Sequence, residues 1–281
     1  MKPHVLMPRG RRPLVLKAQP AQVRVEGIDY LAGVGRPEQV ALISHWSPRA
    51  TVSRSVAELI RALVAQEYTV AMVSTAEGSG PLQWPEAPPE AVTILRRPNV
   101  GYDFGSWATA LARYPAVALA DEVLLINDSL AGPFAPIDHL LDGFHRSPAD
   151  AWGMTDSSMH EYHLQSYCLG FKYQALREAP LASFWRGIRS EASRDDVIEH
   201  YEIGLGRLLK REAYAADAAF RYENVAGEGT NSTIHGWRRL LDLGFPFVKR
   251  ELLRRPDLVG NGHKVPDELR RRFGVDVAEW V

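Results

Sequence analysis

Four short apolar runs dictate what this chain can fold into: VALISHWS from Val40, TVAMVST from Thr69, AVTILRR from Ala91 and VLLI from Val123. Each has the length of one buried strand and breaks off at polar, glycine or proline residues. Between the first two, Val56, Leu59, Ile60 and Leu63 recur at helical spacing behind Ser53, a residue suited to capping a helix start. A helix is therefore expected from about Ser53 to Gln66. A Gly/Pro-rich loop fills Glu77 to Pro89, and a turn at Asn99 to Ser106 leads into a second helix expected through about Tyr114. Strands alternating with helices call for right-handed crossovers in a parallel sheet, so the fold class is α/β: a mainly parallel central sheet flanked by helices. The order of the strands stays open.

Bulk properties narrow the function classes. The 281 residues are 46% hydrophobic and 24% charged, with a formal net charge of -1. There is no global basic field to attract nucleic acid, so none is expected as a partner. A lone cysteine, Cys168, excludes an intrachain disulfide framework and fits a reducing, cytoplasmic setting. The apolar runs are far shorter than a bilayer span, and the N-terminus lacks the apolar stretch of a signal peptide. Residues 1 to 20 carry Lys2, Arg9, Arg11, Arg12 and Lys17 with no acid. This basic arm, assigned to 1–39, is either a solvated leader or a contact for anionic lipid at the inner face of the plasma membrane.

Ligands of α/β sheets sit beyond the carboxyl ends of the strands, where two segments draw attention. In Asn99-Val-Gly-Tyr-Asp-Phe-Gly, Asp103 offers a carboxylate beside two flexible glycines and a helix start; it is either a ligand mouth or a capped strand-to-helix turn. The spacing is not GxGxxG, which counts against a nicotinamide oxidoreductase. In Asn127-Asp128-Ser129, a carboxylate between two hydrogen-bonding side chains either holds a divalent cation against a diphosphate or makes an Asx-type turn into Gly132-Pro133. His160 and His163 stand three apart without a third ligand at clear spacing, so a non-ligand role is favoured. Glu191, Asp195 and Glu199 are expected as solvated helix charges on or beside a helix from about Val197 to Lys210. Asn231-Ser232-Thr233 matches a glycosylation sequon, inert in a cytoplasmic chain.

Seven blocks in order, RRPNVGYDFGSW, LLINDSLAGPF, DAWGMTDS, HLQSYCLGF, FWRGI, HYEIGLGRLL and FPFVKRELLRRP, resemble the rhamnan synthesis F family of bacterial cell-surface polysaccharide glycosyltransferases. The resemblance covers about residues 40 to 256. It implies a single Rossmann-like, A-type glycosyltransferase domain. Within it, 40–148 would be the nucleotide-sugar-binding half, 149–255 the acceptor-side half, and 256–281 a short helical tail.

The resemblance also implies roles. Related A-type enzymes end the fourth strand in an Asp-x-Asp motif for metal and donor diphosphate, which falls here on Asn127, Asp128 and Ser129. Only Asp128 is acidic, so a divalent cation (Mg²⁺ or Mn²⁺) is weakly supported, and a basic side chain is expected to neutralise the leaving group, Lys249 first and Arg250 next. His45 and Trp46 end the first strand, where the nucleotide would bind; Asn99 and Asp103 would hold the donor. Glu202, in the block that carries an acidic pair in inverting relatives, is the candidate general base, with Tyr201 replacing the first acid. Asp156 and Gln165 would orient sugar hydroxyls. The expected activity is inverting transfer of rhamnose or a related deoxyhexose from a nucleotide-diphospho-sugar to a polymeric or lipid-linked glycan. The alternative is a non-catalytic nucleotide-sugar or glycan-binding module in a polysaccharide synthesis complex.

Overall fold

The computed structural model describes residues 12–18 and 22–281. Strands follow the chain as β1 (Arg24–Glu26), β2 (Gln39–His45), β3 (Thr69–Ser74), β4 (Val92–Arg96), β5 (Glu122–Asn127), β6 (Leu130–Ala131), β7 (Ala151–Ser157), β8 (His163–Leu164), β9 (Cys168–Lys172), β10 (Ala216–Phe220) and β11 (Val248–Lys249). The main sheet has the order β1-β4-β3-β2-β5-β9-β7-β10, with β8 paired to β7; β6 and β11 form a separate ribbon. Strands β2 to β5 are mutually parallel, β10 is parallel to β7, and β9 runs antiparallel between β5 and β7. One sheet thus passes through the segments expected to form two halves. The mainly parallel sheet flanked by helices agrees with the pattern of apolar runs.

The two faces of the sheet follow the period of two along each strand. On β2, Val40 and Leu42 join one core with Phe104, Trp107 and Leu125, whereas Ala41 and Ile43 join the other with Val56, Ile60 and Leu63. The second core is covered by helix Arg54–Ala65, whose start is capped where Ser53 Oγ accepts the Val56 N–H. The first is covered by helix Tyr102–Arg113. That helix begins at Gly101, with φ +80°, and a Cβ added at Gly105 would lie 2.3 Å from the Val100 carbonyl oxygen. Both glycines are demanded by the tight turn from β4 into the helix. Trp107 Nε1 then donates to the Ile126 carbonyl at 3.2 Å, fixing the helix on β5.

Two expectations need correction, and a third gains detail. The segment expected as a basic arm enters the sheet: β1 pairs antiparallel with β4, and Glu26 holds buried Arg96 at 2.7 Å. Arg96 also donates to the carbonyls of Ala76, Gly78 and Gly80, which shapes the Gly/Pro-rich loop. Of the five basic residues proposed as a membrane contact, Lys2, Arg9 and Arg11 lie outside the described residues. The C-terminal segment is helical, as expected, and it packs: Val265, Leu269 and Val277 join Trp237, Val248 and Leu252 in a third core. Finally, Glu191 is not solvated. Its side chain is 9% exposed and accepts from Tyr201 Oη at 2.7 Å. Among the described residues no helix is long and apolar enough to cross a membrane.

Candidate active site

A cleft opens at the carboxyl ends of β2 and β5, on the face covered by helix Tyr102–Arg113. Its inner lobe, of about 150 Å³, is lined by residues that include Asn127, His163, Gln165, Ser166 and Glu202. Its outer lobe, of about 360 Å³, is lined by residues that include Trp46, Asn99, Asp128, Arg250 and Arg254. Tyr102, Asp103, Ser129, Arg194 and Lys249 line both, so the two spaces adjoin. Glu202 lines the inner lobe and Asp128 the outer one.

At the inner end, helical structure runs from Arg194 to Arg211, with a π-helical turn over Ile198–Ile203. Tyr201 points into the core beside Phe104, and the next residue, Glu202, faces the cleft. A Cβ added at Gly206 would lie 2.9 Å from the Tyr162 carbonyl oxygen and 3.1 Å from His163 Cβ, so this glycine lets the helix sit directly on β8. The contact delivers Glu202 to its partners. Ser166 Oγ donates to Glu202 Oε2 at 2.6 Å, and His163 Nε2 stands 3.3 Å from Oε1. Burial pushes the Glu202 carboxyl up, but the hydrogen bond and charge of His163, the Ser166 hydroxyl and Lys249 prevail and hold it below its ordinary value. It is a carboxylate at neutral pH.

At the junction, Asp103 accepts from Ser44 Oγ at 3.0 Å and from Asn127 Nδ2 at 2.8 Å. Burial and the nearby Asp128 push its carboxyl up to about 6, against the pull of those two donors and Lys249. Asp128 Oδ2 accepts the Trp46 N–H at 2.9 Å, which ties the end of β5 to the end of β2. The β6–β11 ribbon places Lys249 opposite Leu130 and lets its ammonium donate to Ser129 Oγ at 3.0 Å. Lys249 also lies 5.3 Å from the centre of the Tyr167 ring. Burial, reinforced by the charge of Arg194 and opposed by Glu202 and Asp103, lowers the ammonium to about 8. Arg250 Nε donates to the Leu130 carbonyl at 3.2 Å and its Nη2 to Ser53 Oγ, so its guanidinium holds the loop while edging the outer lobe.

Of the residues singled out in the sequence, Asn99, Asp103, Asn127, Asp128, Ser129, Gln165, Glu202, Lys249 and Arg250 come together on this cleft. His45 and Asp156 do not. His45 is 2% exposed and bonds Ser74 Oγ at 3.0 Å through Nδ1, and burial lowers its imidazole to about 4. Asp156 is 2% exposed and accepts the Tyr222 N–H at 2.6 Å, serving the helix Tyr222–Val225. Both stand one residue out of phase: Ser44 and Ser157, their neighbours, take the cleft side of β2 and β7. Sequence reasoning missed Arg194, Arg254 and Tyr102 as lining residues and discounted His163. Asn231 of the sequon also lines the inner lobe, accepting from Gln165 Nε2 at 3.1 Å and capping helix Ser232–His235.

A divalent cation finds poor company here. Among the described residues no group of three or more His, Cys, Asp or Glu side chains is placed to hold a metal. Arg250 and Arg254 already draw on the charge of Asp128, and both Asp103 oxygens already accept side-chain donors.

Residues 90–273 match the family described as rhamnan synthesis protein F. The chain belongs to that family. It is 31% identical over 194 residues to a protein named Virulence protein VirA from Vibrio anguillarum, covering 57% of this chain and 62% of the relative. An uncharacterised protein, y4gN, from Sinorhizobium fredii is 25% identical over 154 residues, covering 53% of this chain and 40% of that one. The match thus spans less than two thirds of either relative. All the cleft-lining residues except Trp46 and Thr75 fall within the stretch matched to the rhamnan synthesis protein F family.

Proposed function

We propose that this member of the rhamnan synthesis protein F family is an A-type, inverting glycosyltransferase. It would move rhamnose or a related deoxyhexose from a nucleotide-diphospho-sugar to a polymeric or lipid-linked glycan. The observation that carries this reading is the charge of the cleft: an ionised carboxylate, Glu202, lines its inner lobe, while in the outer lobe the cations Arg194, Lys249, Arg250 and Arg254 outnumber the acids Asp103, Asp128 and Glu251. Single displacement at an anomeric carbon needs that arrangement, a base behind the attacking oxygen and positive charge around the departing diphosphate.

In this mechanism the acceptor sugar lies in the inner lobe, with Gln165 and Asn231 available to its hydroxyls. Glu202 takes the proton of the attacking hydroxyl as the new carbon–oxygen bond forms. The bond from the anomeric carbon to the diphosphate breaks on the opposite side, and the leaving oxygen's charge falls on Lys249. Trp46, 41% exposed at the rim of the outer lobe, offers a stacking surface to the nucleotide base.

The test is to incubate the protein with nucleotide sugars and candidate glycan acceptors and to measure released nucleoside diphosphate. Glu202→Gln, nearly isosteric, is expected to lower transfer by about 10²- to 10⁴-fold while donor binding changes little. Undiminished transfer in that variant would overturn the assignment of the base. Donor binding without turnover in the wild type, with every acceptor supplied, would instead favour a non-catalytic binding module.

A further inference from the structure

The outer lobe carries a cation set that differs from the one expected from sequence. Arg250 was the natural second choice after Lys249, yet its guanidinium is committed to Ser53 Oγ and the Leu130 carbonyl. Two arginines from different elements line the same space: Arg194 at the start of helix Arg194–Val197 and Arg254 at the end of helix Arg250–Arg254. Both are exposed, and neither forms an ion pair among the described residues. Lys249 lines both lobes, using one N–H on Ser129 and keeping two for a ligand.

We propose that Lys249, Arg194 and Arg254 bind the diphosphate of the donor directly, without a divalent cation. The inference rests on the transferase reading above and specifies how its donor is held. Three points of geometry carry it. The three side chains line one cavity from three elements, helix Arg194–Val197, strand β11 and helix Arg250–Arg254, and together offer a diphosphate several charged donors. The single acid of the outer rim suited to a metal, Asp128, already has the charges of Arg250 and Arg254 acting on it and spends one oxygen on the Trp46 N–H. A dication bound there would add to four positive side chains, Arg194, Lys249, Arg250 and Arg254, against Asp103, Asp128 and Glu251. A diphosphate brings the opposite charge and relieves the crowding.

The experiment is calorimetric titration of the purified protein with nucleoside diphosphates of the common bases and with inorganic pyrophosphate. Each is run once in EDTA and once in magnesium chloride. The expected result is binding of at least one nucleoside diphosphate with the same affinity in both buffers, weakened about tenfold in either Arg194→Ala or Arg254→Ala. Both arginines are exposed, so unchanged melting temperatures would confirm that these variants fold. Binding that appears only with magnesium would overturn the inference and leave the transferase reading standing. Metal-free binding that both substitutions leave untouched would also overturn it. Failure of every nucleoside diphosphate to bind in either buffer would overturn the transferase reading itself, and this inference with it.

Discussion

Glu202 and His163 form a buried ion pair whose geometry fixes its protonation. His163 Nδ1 lies 2.8 Å from the Glu161 carbonyl, to which only an N–H can donate, so Nε2 is left facing Glu202. A second proton on Nε2 is what makes the contact attractive. Burial lowers the imidazole, but the hydrogen bond and charge of Glu202, the Glu161 carbonyl and Asp156 together raise it above its ordinary value. The sign of the linkage follows for each partner. Glu202, held low, contributes stability above the ordinary carboxyl value of 4.5 and loses it as pH falls through its native value. His163, held high, contributes below the ordinary 6.5 and loses it as pH rises through its native value. The pair is therefore worth most between those two pH values. His163→Gln keeps a neutral donor in place, and we expect it to cost about 1 to 3 kcal/mol in that window, with the deficit shrinking at alkaline pH. It should also move the acid limb of transfer upward, since Glu202 loses the cation that lowers it. Thermal melts of both proteins from about pH 5 to about pH 9 check this, and a deficit constant across that range would reduce His163 to a packing residue.

At the scale of elements, Gly206 decides whether the helix carrying Glu202 reaches β8. Gly206→Ala sets a methyl 2.9 Å from the Tyr162 carbonyl oxygen, which the backbone can relieve only by parting helix from strand. We expect a loss of about 1 to 3 kcal/mol, typical of overpacking, and a larger proportional loss of transfer than of donor binding, because Lys249 and Asp128 lie on other elements. Full transfer with lowered stability would contradict this. Such contacts also explain what was legible in the sequence. The helix Arg54–Ala65 and strands β2 to β5 have strong periods and clear stops, and the apolar pattern located them. The two-residue strands β6, β8 and β11 have no period to read, since partners distant in the chain define them. Even within a well-located strand, a face can be assigned wrongly by one residue, as His45 and Asp156 show. Arg194 and Arg254 stayed invisible for another reason: as exposed charges on short helices they resemble solvated ones until the fold brings their elements to one cavity.

Across the whole molecule, the turn Val277–Trp280 braces the loop beside the outer lobe of the cleft. Ser55 Oγ donates to the Trp280 carbonyl at 2.5 Å and accepts the Gly132 N–H at 3.1 Å, linking the final turn, Val277–Trp280, to the loop that follows Asp128 and Ser129. The Trp280 ring packs edge-on to Phe134 with centroids 5.0 Å apart, and the Arg54 guanidinium lies 4.7 Å from its centre. Its indole N–H has no hydrogen-bond partner among the described residues, so the ring acts through its packed area and the face it turns to Arg54. Two substitutions then separate packing from polarity. Trp280→Ala removes a ring only 6% exposed and should cost about 3 to 5 kcal/mol, whereas Trp280→Phe keeps most of the contact, loses no hydrogen bond and should cost under about 1.5 kcal/mol. Because the ring and Ser55 meet the loop beyond Asp128 rather than the cleft itself, the alanine variant should lose more stability than nucleotide affinity when both are measured below its melting transition. Equal costs for alanine and phenylalanine in denaturant titrations would mean that the indole N–H, not the packed ring, secures the final turn.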